Sequence, residues 1–185
     1  MAKSFTKSKA TVWGGLGFLT FLLCGIAAYQ AYGPRFDCIL KITEPMATDR
    51  AIESAVNNFF IEYHEMPAVG SHVTTDSKPG VQLLKILLGV EDSSEKVQNT
   101  RHIRFLDVRE GRNRKDGLIY DDDSLKPTGL FDPWGHPYTV ELSPDGSKHL
   151  HFMIGSETVD LHRLAAAYSP GPDGKPGTSD DVKSW

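Results

Sequence analysis

The residues best suited to chemistry lie in the last part of the chain, from Tyr168 to Trp185, which is rich in glycine, proline and aspartate. Glycine permits tight bends and proline removes backbone donors, so main-chain carbonyls can turn inward beside the carboxylates of Asp173, Asp180 and Asp181. Carboxylate and carbonyl oxygens are the ligands that Ca²⁺ takes. We therefore predict a calcium loop here, with a metal-free surface turn as the alternative.

The order of residues in this loop does not follow the Asp-x-Asp-x-Asp-Gly pattern of helical calcium motifs. Instead, Tyr-Ser-x-Gly-x-Asp-Gly-x-x-Gly-Thr-x-Asp-Asp-x-x-Ser-Trp resembles the C-terminal calcium loop of the major pseudopilin of type II secretion systems, in the type IV pilin-like superfamily. Residues 55–67, 99–106 and 132–138 resemble further segments of that family; the last matches its Asp-Pro-Trp-Gly-x-Pro-Tyr turn. The resemblance covers roughly residues 49–185.

The resemblance implies roles for residues around the loop. It implies that main-chain oxygens near Pro170 and Thr178 complete the calcium shell and that Trp185 anchors the end of the chain by packing. In an Asp-Pro-Trp-Gly turn, we expect the Asp132 carboxylate to bind backbone amides and the Trp134 indole to fill the core. We therefore predict structural roles for both, with a general base at Asp132 as the alternative.

The segment from Thr11 to Gly33 contains no charged residue, and as a helix its 23 residues would span roughly 34 Å. That length crosses a hydrocarbon core of about 30 Å. Lysines precede the segment, so the N-terminus is expected in the cytoplasm and the C-terminal domain in the periplasm of a bacterial inner-membrane, single-pass protein. A cleaved secretory signal and a lipid anchor at Cys24 are the alternatives.

The N-terminus departs from the pseudopilin pattern, which places a Gly-Phe-Thr-Leu-Ile-Glu processing motif at the start of the apolar helix. The nearest match here begins at Gly17 and has Leu22 where the motif has glutamate. A carboxylate in lipid is costly unless it is paired, and in the filament a neighbouring subunit's amine pairs with it. Two hypotheses therefore stay open: assembly into a filament, and a membrane-tethered binding module that forms no filament.

The pattern predicts an α+β fold with an N-terminal transmembrane helix. The domains are a basic segment 1–10, the transmembrane helix 11–33, a linker 34–48 and a pseudopilin-like domain 49–185. In the last, a helix over 49–65 should begin after Pro45, with Thr48 as its cap, and pack on a small antiparallel sheet. Its apolar face consists of Ala51, Ile52, Ala55, Val56, Phe59, Phe60 and Tyr63.

Shorter elements follow this helix. Residues 81–88 are predicted to form a second helix that ends at Gly89, and residues 66–80 and 107–129 are interpreted as surface loops. Residues 138–142 are predicted as a strand to which 149–154 return antiparallel. Residues 164–168 fit a third strand, although 161–167 fit a short helix equally well.

Histidines 149 and 151 would share one face of a strand and could in principle bind zinc, but no third ligand stands at a recognisable spacing. We therefore interpret them as surface or packing histidines. The chain carries no catalytic motif, and its net charge of −4 provides no basic stripe for nucleic acid.

These observations predict a structural protein and not an enzyme. The expected function is assembly in a type II secretion or pilus-like apparatus, with the membrane and pilin-like subunits, including further copies of this chain, as partners. No nucleic acid and no small-molecule substrate is expected. The alternative is a membrane-tethered, calcium-dependent binding module that forms no filament.

Overall fold

In the computed structural model, the described residues are 43–92, 96–121 and 126–185. The predicted basic segment and transmembrane helix, together with the first part of the linker, fall within residues 1–42 and lie outside them. None of the helices in the described ranges combines the length and the apolar character needed to cross a membrane.

The described ranges form two helices and eight strands. Helix α1 is helical from residue 43, where the description begins, to residue 63. The remaining elements are β1 (His72–Thr74), α2 (Lys78–Leu88), β2 (Gly117–Tyr120), β3 (Pro127–Phe131), β4 (Thr139–Leu142), β5 (Leu150–Ile154), β6 (Glu157–Leu161), β7 (Ala165–Ser169) and β8 (Val182–Lys183). They build a four-stranded sheet in the order β1-β4-β7-β8 and two hairpins, β2-β3 and β5-β6, all antiparallel.

The predicted fold class is therefore wrong. It specified a spanning helix followed by a helix on one small sheet, whereas neither helix of the described part is able to span a membrane and the strands form a four-stranded sheet and two separate hairpins. Strands β1 and β2 and the first three residues of β3 lie in stretches interpreted as loops from their Gly, Pro and Asp content. They form because their few apolar residues, such as Val73, Leu118 and Leu130, are buried against the core.

The predicted pairing of strands is also wrong. Residues 150–154 do not return to β4; they pair with β6, in register from Leu150↔Leu161 to Ile154↔Glu157. β4 lies instead between β1 and β7, where Val140 pairs with Val73 and with Ala167. The tight turn at Gly155, with φ of +58°, joins β5 to β6 directly, and this short connection decides the pairing.

Helix α1 does not start after Pro45 as predicted, because residues 43–48 are already helical. A tertiary contact supports this early part of the helix. The Glu44 carboxylate accepts hydrogen bonds from both terminal nitrogens of Arg109, at 2.9 and 3.0 Å. Long-range contacts of this kind override the local signal of a proline, and Thr48 is therefore not the cap.

The apolar face of α1 is confirmed and packs in the core. Ile52, Ala55, Val56 and Phe59 are buried in one cluster with residues of α2, β4 and β7. Helix α2 begins at an N-cap, Ser77, whose hydroxyl accepts from the Gly80 amide at 3.2 Å. It ends at the left-handed Gly89, as predicted.

Candidate functional site

The aspartate-rich loop spans residues 170–181 and connects β7 to β8. These strands pair directly, Ser169 with Val182 and Tyr168 with Lys183, so the two ends of the loop are held side by side. The sheet therefore closes the loop as a ring of backbone at the end of β7.

Gly171 brings the two limbs of this ring together. It has a φ of +68°, and a Cβ at this position would lie only 2.2 Å from the carbonyl oxygen of Asp180. Only glycine accepts both the left-handed conformation and this close approach. The two limbs of the loop therefore approach each other most closely where Gly171 meets the Asp180 carbonyl.

Two of the predicted metal ligands, Asp173 and Asp180, are joined through Thr178. The Thr178 hydroxyl donates to Asp180 Oδ1 and lies 3.4 Å from Asp173 Oδ1. Asp180 Oδ2 accepts from the Asp173 amide at 3.1 Å. The hydrogen bond from Thr178 is the main cause that lowers the pKa of the Asp180 carboxyl, which therefore stays ionised at neutral pH.

The third predicted ligand, Asp181, has one oxygen with no hydrogen-bond partner. Its Oδ2 accepts from the Gly177 amide across the loop at 2.8 Å, whereas its Oδ1 is buried and unpartnered. Burial raises the pKa of the Tyr168 hydroxyl, and the charge of Asp181 makes a smaller contribution in the same direction. Leaving a buried carboxylate oxygen unpaired is costly, and a cation would satisfy it.

The turn at Asp132 holds the start of the loop. Asp132 Oδ1 accepts from the amides of Trp134, Gly135 and His136 at 2.7–2.9 Å, and the side chain is completely buried. The Nδ1 atom of His136 lies 2.9 Å from the Gly171 carbonyl oxygen. The carboxylate thus shapes the turn, and the turn holds the loop.

The aromatic residues predicted as anchors differ in burial. Trp134 is only half-buried, so the indole does not fill the core as expected of it. Trp185 makes edge-to-face contacts with Phe152, at 5.8 Å between ring centroids, and with Tyr168, at 6.2 Å. The end of the chain therefore packs on both β5 and β7.

Side chains alone do not provide a metal site in this loop. Within the described ranges, no three His, Cys, Asp or Glu side chains converge, in their present rotamers, to hold a metal ion. A calcium shell in this loop would therefore draw on main-chain oxygens such as that of Asp180, as well as on carboxylates. Pro170 is buried at the start of the loop, and the Thr178 hydroxyl already contacts two of the aspartates.

Sequence reasoning did not find two residues that position the loop, Ser169 and His136. Both lie in segments that it singled out, but their partners come from elsewhere in the chain. Ser169 contacts Asp132 and His136 contacts Gly171, across 37 and 35 residues. No local spacing signals contacts over such separations.

A second unusual carboxyl belongs to Asp49 on α1. It is completely buried, and neither of its oxygens has a hydrogen-bond partner. Burial raises the pKa of the Asp49 carboxyl well above its usual range, and the charge of Asp132 adds to this shift. Burial therefore favours the neutral form of the Asp49 carboxyl in the folded protein.

Searches with the chain find no matching family model, no matching curated protein and no matching solved structure. The resemblance to the major pseudopilin therefore remains a prediction from the sequence.

Proposed function

We propose that this chain is a calcium-stabilised structural protein that acts in the assembly of a secretion or pilus-like apparatus, and not an enzyme. The observation that carries the proposal is the buried, unpartnered Oδ1 atom of Asp181 in a loop that the sheet closes. The ionised Asp180 carboxylate lies next to it in the chain. These acidic groups repel one another, and a divalent cation would remove that repulsion.

Asp173, Asp180 and Asp181 would hold the ion, together with main-chain oxygens near Pro170 and Thr178. Bound Ca²⁺ would supply positive charge and would take roughly six to eight oxygen ligands. Its role would be structural, without a chemical reaction. The residues of this chain close the loop and dock it on the Asp132 turn. Binding energy would thereby stabilise the fold around β7 and β8.

The assembly role rests on the four segments that resemble the pseudopilin family. Attachment to the bacterial inner membrane, with the domain on the periplasmic side, rests on the uncharged residues 11–33 and the lysines before them. Pilin-like subunits, including further copies of this chain, are the proposed partners.

Thermal unfolding of the full-length chain, with Ca²⁺ and with chelator, tests the metal site. Ca²⁺ at a hundred times its dissociation constant should stabilise the protein by about 2.7 kcal/mol and raise Tm accordingly. The double variant Asp180→Asn/Asp181→Asn should lose this response. The matched control Asp107→Asn, which changes an exposed carboxylate, should keep the response of Tm to Ca²⁺. Equal Tm values with Ca²⁺ and with chelator would refute the site.

Crosslinking in membranes tests the assembly role separately. A ladder of multimers supports assembly into a filament-like structure. Monomers at every crosslinker concentration, in a protein whose Tm still responds to Ca²⁺, would favour the tethered binding module instead.

A further inference from the structure

The outward face of the β5–β6 hairpin carries a cluster of side chains that the calcium loop does not use. Residues alternate along β5: Leu150 and Ile154 are buried, whereas His151 and Met153 are exposed. On β6, Val159 is buried and Asp160 is exposed. One face of the hairpin therefore packs on the core, and the other is exposed.

Two cross-strand pairs bring four metal-ligating residues onto this outward face. His151 and Asp160 are directly opposed in the register of the hairpin. Just beyond the strand ends, the rings of His149 and His162 lie 5.4 Å apart between centroids. His149 Nε2 also lies 3.5 Å from Asp160 Oδ1, which links one pair to the other.

We propose that His149, His151, Asp160 and His162 form a binding site for Zn²⁺. Imidazole nitrogen and carboxylate oxygen bind this ion at about 2.0–2.2 Å, four at a time in a tetrahedron. Opposed residues on neighbouring strands have Cβ atoms about 4.5–5.5 Å apart, a separation from which two imidazoles can reach one ion. The pair Asp160 and His162 supplies the further ligands that the spacing of His149 and His151 alone did not reveal.

Binding of Zn²⁺ would require these side chains to change rotamer. In their present rotamers the donor atoms do not converge on one point. The side chains of His149 and Asp160 are 48% and 60% exposed, so they can rotate to meet an ion. Ordering four exposed side chains costs conformational entropy, which predicts weaker binding than that of a preformed site.

Neighbouring charges do not oppose this site strongly. Lys148 and His162 line the same groove beside α1, together with Arg163. Arg163 is neutralised by the Glu53 carboxylate, with contacts of 2.8 and 2.9 Å. Lys148 remains as a cation next to the site, which is a further reason to expect moderate affinity.

Calorimetric titration of the full-length, tag-free chain with Zn²⁺, in the presence of excess Ca²⁺, tests the site. We expect one Zn²⁺ per chain and at least about a tenfold loss of affinity in each of His149→Ala, His162→Ala and Asp160→Asn. His102→Asn is the matched control, because it removes an exposed imidazole beside Gly89, at a φ of +52° that asparagine tolerates. Its affinity should equal that of the unchanged protein.

Co²⁺ provides a second readout, since its visible absorption reports four-coordinate geometry. This absorption should appear in the unchanged protein and in His102→Asn and vanish in the double variant His149→Ala/His162→Ala. Circular dichroism shows that each variant is folded. Zn²⁺ affinity that is the same in the folded double variant, or no binding up to millimolar Zn²⁺, overturns the proposal. Because excess Ca²⁺ is present throughout, the result does not depend on the calcium loop.

Discussion

Ser169 Oγ donates a hydrogen bond of 2.6 Å to Asp132 Oδ2, and this contact joins the end of β7 to the turn that precedes β4. The same hydroxyl oxygen accepts from the Gly171 amide at 3.1 Å, inside the aspartate-rich loop. Both Ser169 and Asp132 are completely buried. One serine hydroxyl thus connects the buried carboxylate with the loop.

Ser169→Ala should destabilise the protein by about 1–3 kcal/mol, because it leaves one oxygen of a buried carboxylate without its donor. Chemical denaturation measures the free energy of unfolding. Ser179→Ala makes the same chemical change at an exposed position of the same loop and should cost no more than about 0.5 kcal/mol. Equal costs for the two variants would contradict the role given to Ser169.

Gly171→Ala should destabilise the protein and weaken Ca²⁺ binding, because the added Cβ meets the Asp180 carbonyl oxygen. Gly70→Ala is the control: its φ of +104° is also unfavourable for alanine, but nothing lies within 4 Å of the added atom. Left-handed strain costs roughly 1–2 kcal/mol, so the excess cost at Gly171 reports the close approach. Thermal unfolding with and without Ca²⁺ measures both effects; a smaller cost at Gly171 than at Gly70 would contradict the geometry.

Asn99 connects α1, α2 and the segment after α2, and we expect Asn99→Ala to cost several kcal/mol. Its Nδ2 donates to the carbonyl oxygens of Ile86 and Ile103 at 2.8 and 2.7 Å, and its Oδ1 accepts from the Tyr63 hydroxyl at 2.8 Å. Each buried partner left unsatisfied costs about 1–3 kcal/mol. Thr100→Ala, at the exposed next position, is the control in equilibrium denaturation. A cost under about 1 kcal/mol at Asn99 would show that water replaces these hydrogen bonds.

Asp49 should make the protein less stable as pH rises. Its pKa is raised in the folded state, so the folded protein binds more protons at this carboxyl than the unfolded chain does. The free energy of unfolding therefore falls as pH increases from about 3.9, the unfolded value, up to the folded pKa. The charge of Asp132 acts on the Asp49 carboxyl, and the charge of Asp49 in turn acts on the Tyr138 hydroxyl.

Asp49→Asn removes this titration, so its stability relative to the unchanged protein should increase as pH rises above about 4. Urea denaturation at a series of pH values measures the difference. Asp107→Asn, which changes an exposed carboxyl, should show no such trend. A difference that is constant with pH would mean that Asp49 titrates normally in the folded state.

Features with a local cause were predictable from the sequence. The apolar face of α1 and the end of α2 at Gly89 follow from side-chain periodicity and from glycine, which act within a few residues. Short strands with little periodicity escaped prediction. Val73 and Leu130 lie among glycine, proline and polar residues, and only burial against the core makes strands of their segments.

The candidate calcium loop was likewise predictable only in part. Its position and its three aspartates are evident from composition. The unpartnered oxygen of Asp181 and the link through Ser169 were not predictable, because both depend on contacts between distant parts of the chain. The outward cluster of the β5–β6 hairpin is a similar case: His149 meets His162 only because β5 pairs with β6 and not with β4.

The sequence by itself determined the local conformations of this protein: the amphipathic helix, the helix stop and the glycine-rich loop with its carboxylates. Only the tertiary structure decided which strands pair, that α1 continues through Pro45, and which carboxyl oxygens are buried without partners. The physical reason is range. Backbone preference and side-chain period act over a few neighbouring residues, whereas strand pairing and burial depend on the packing of the whole domain.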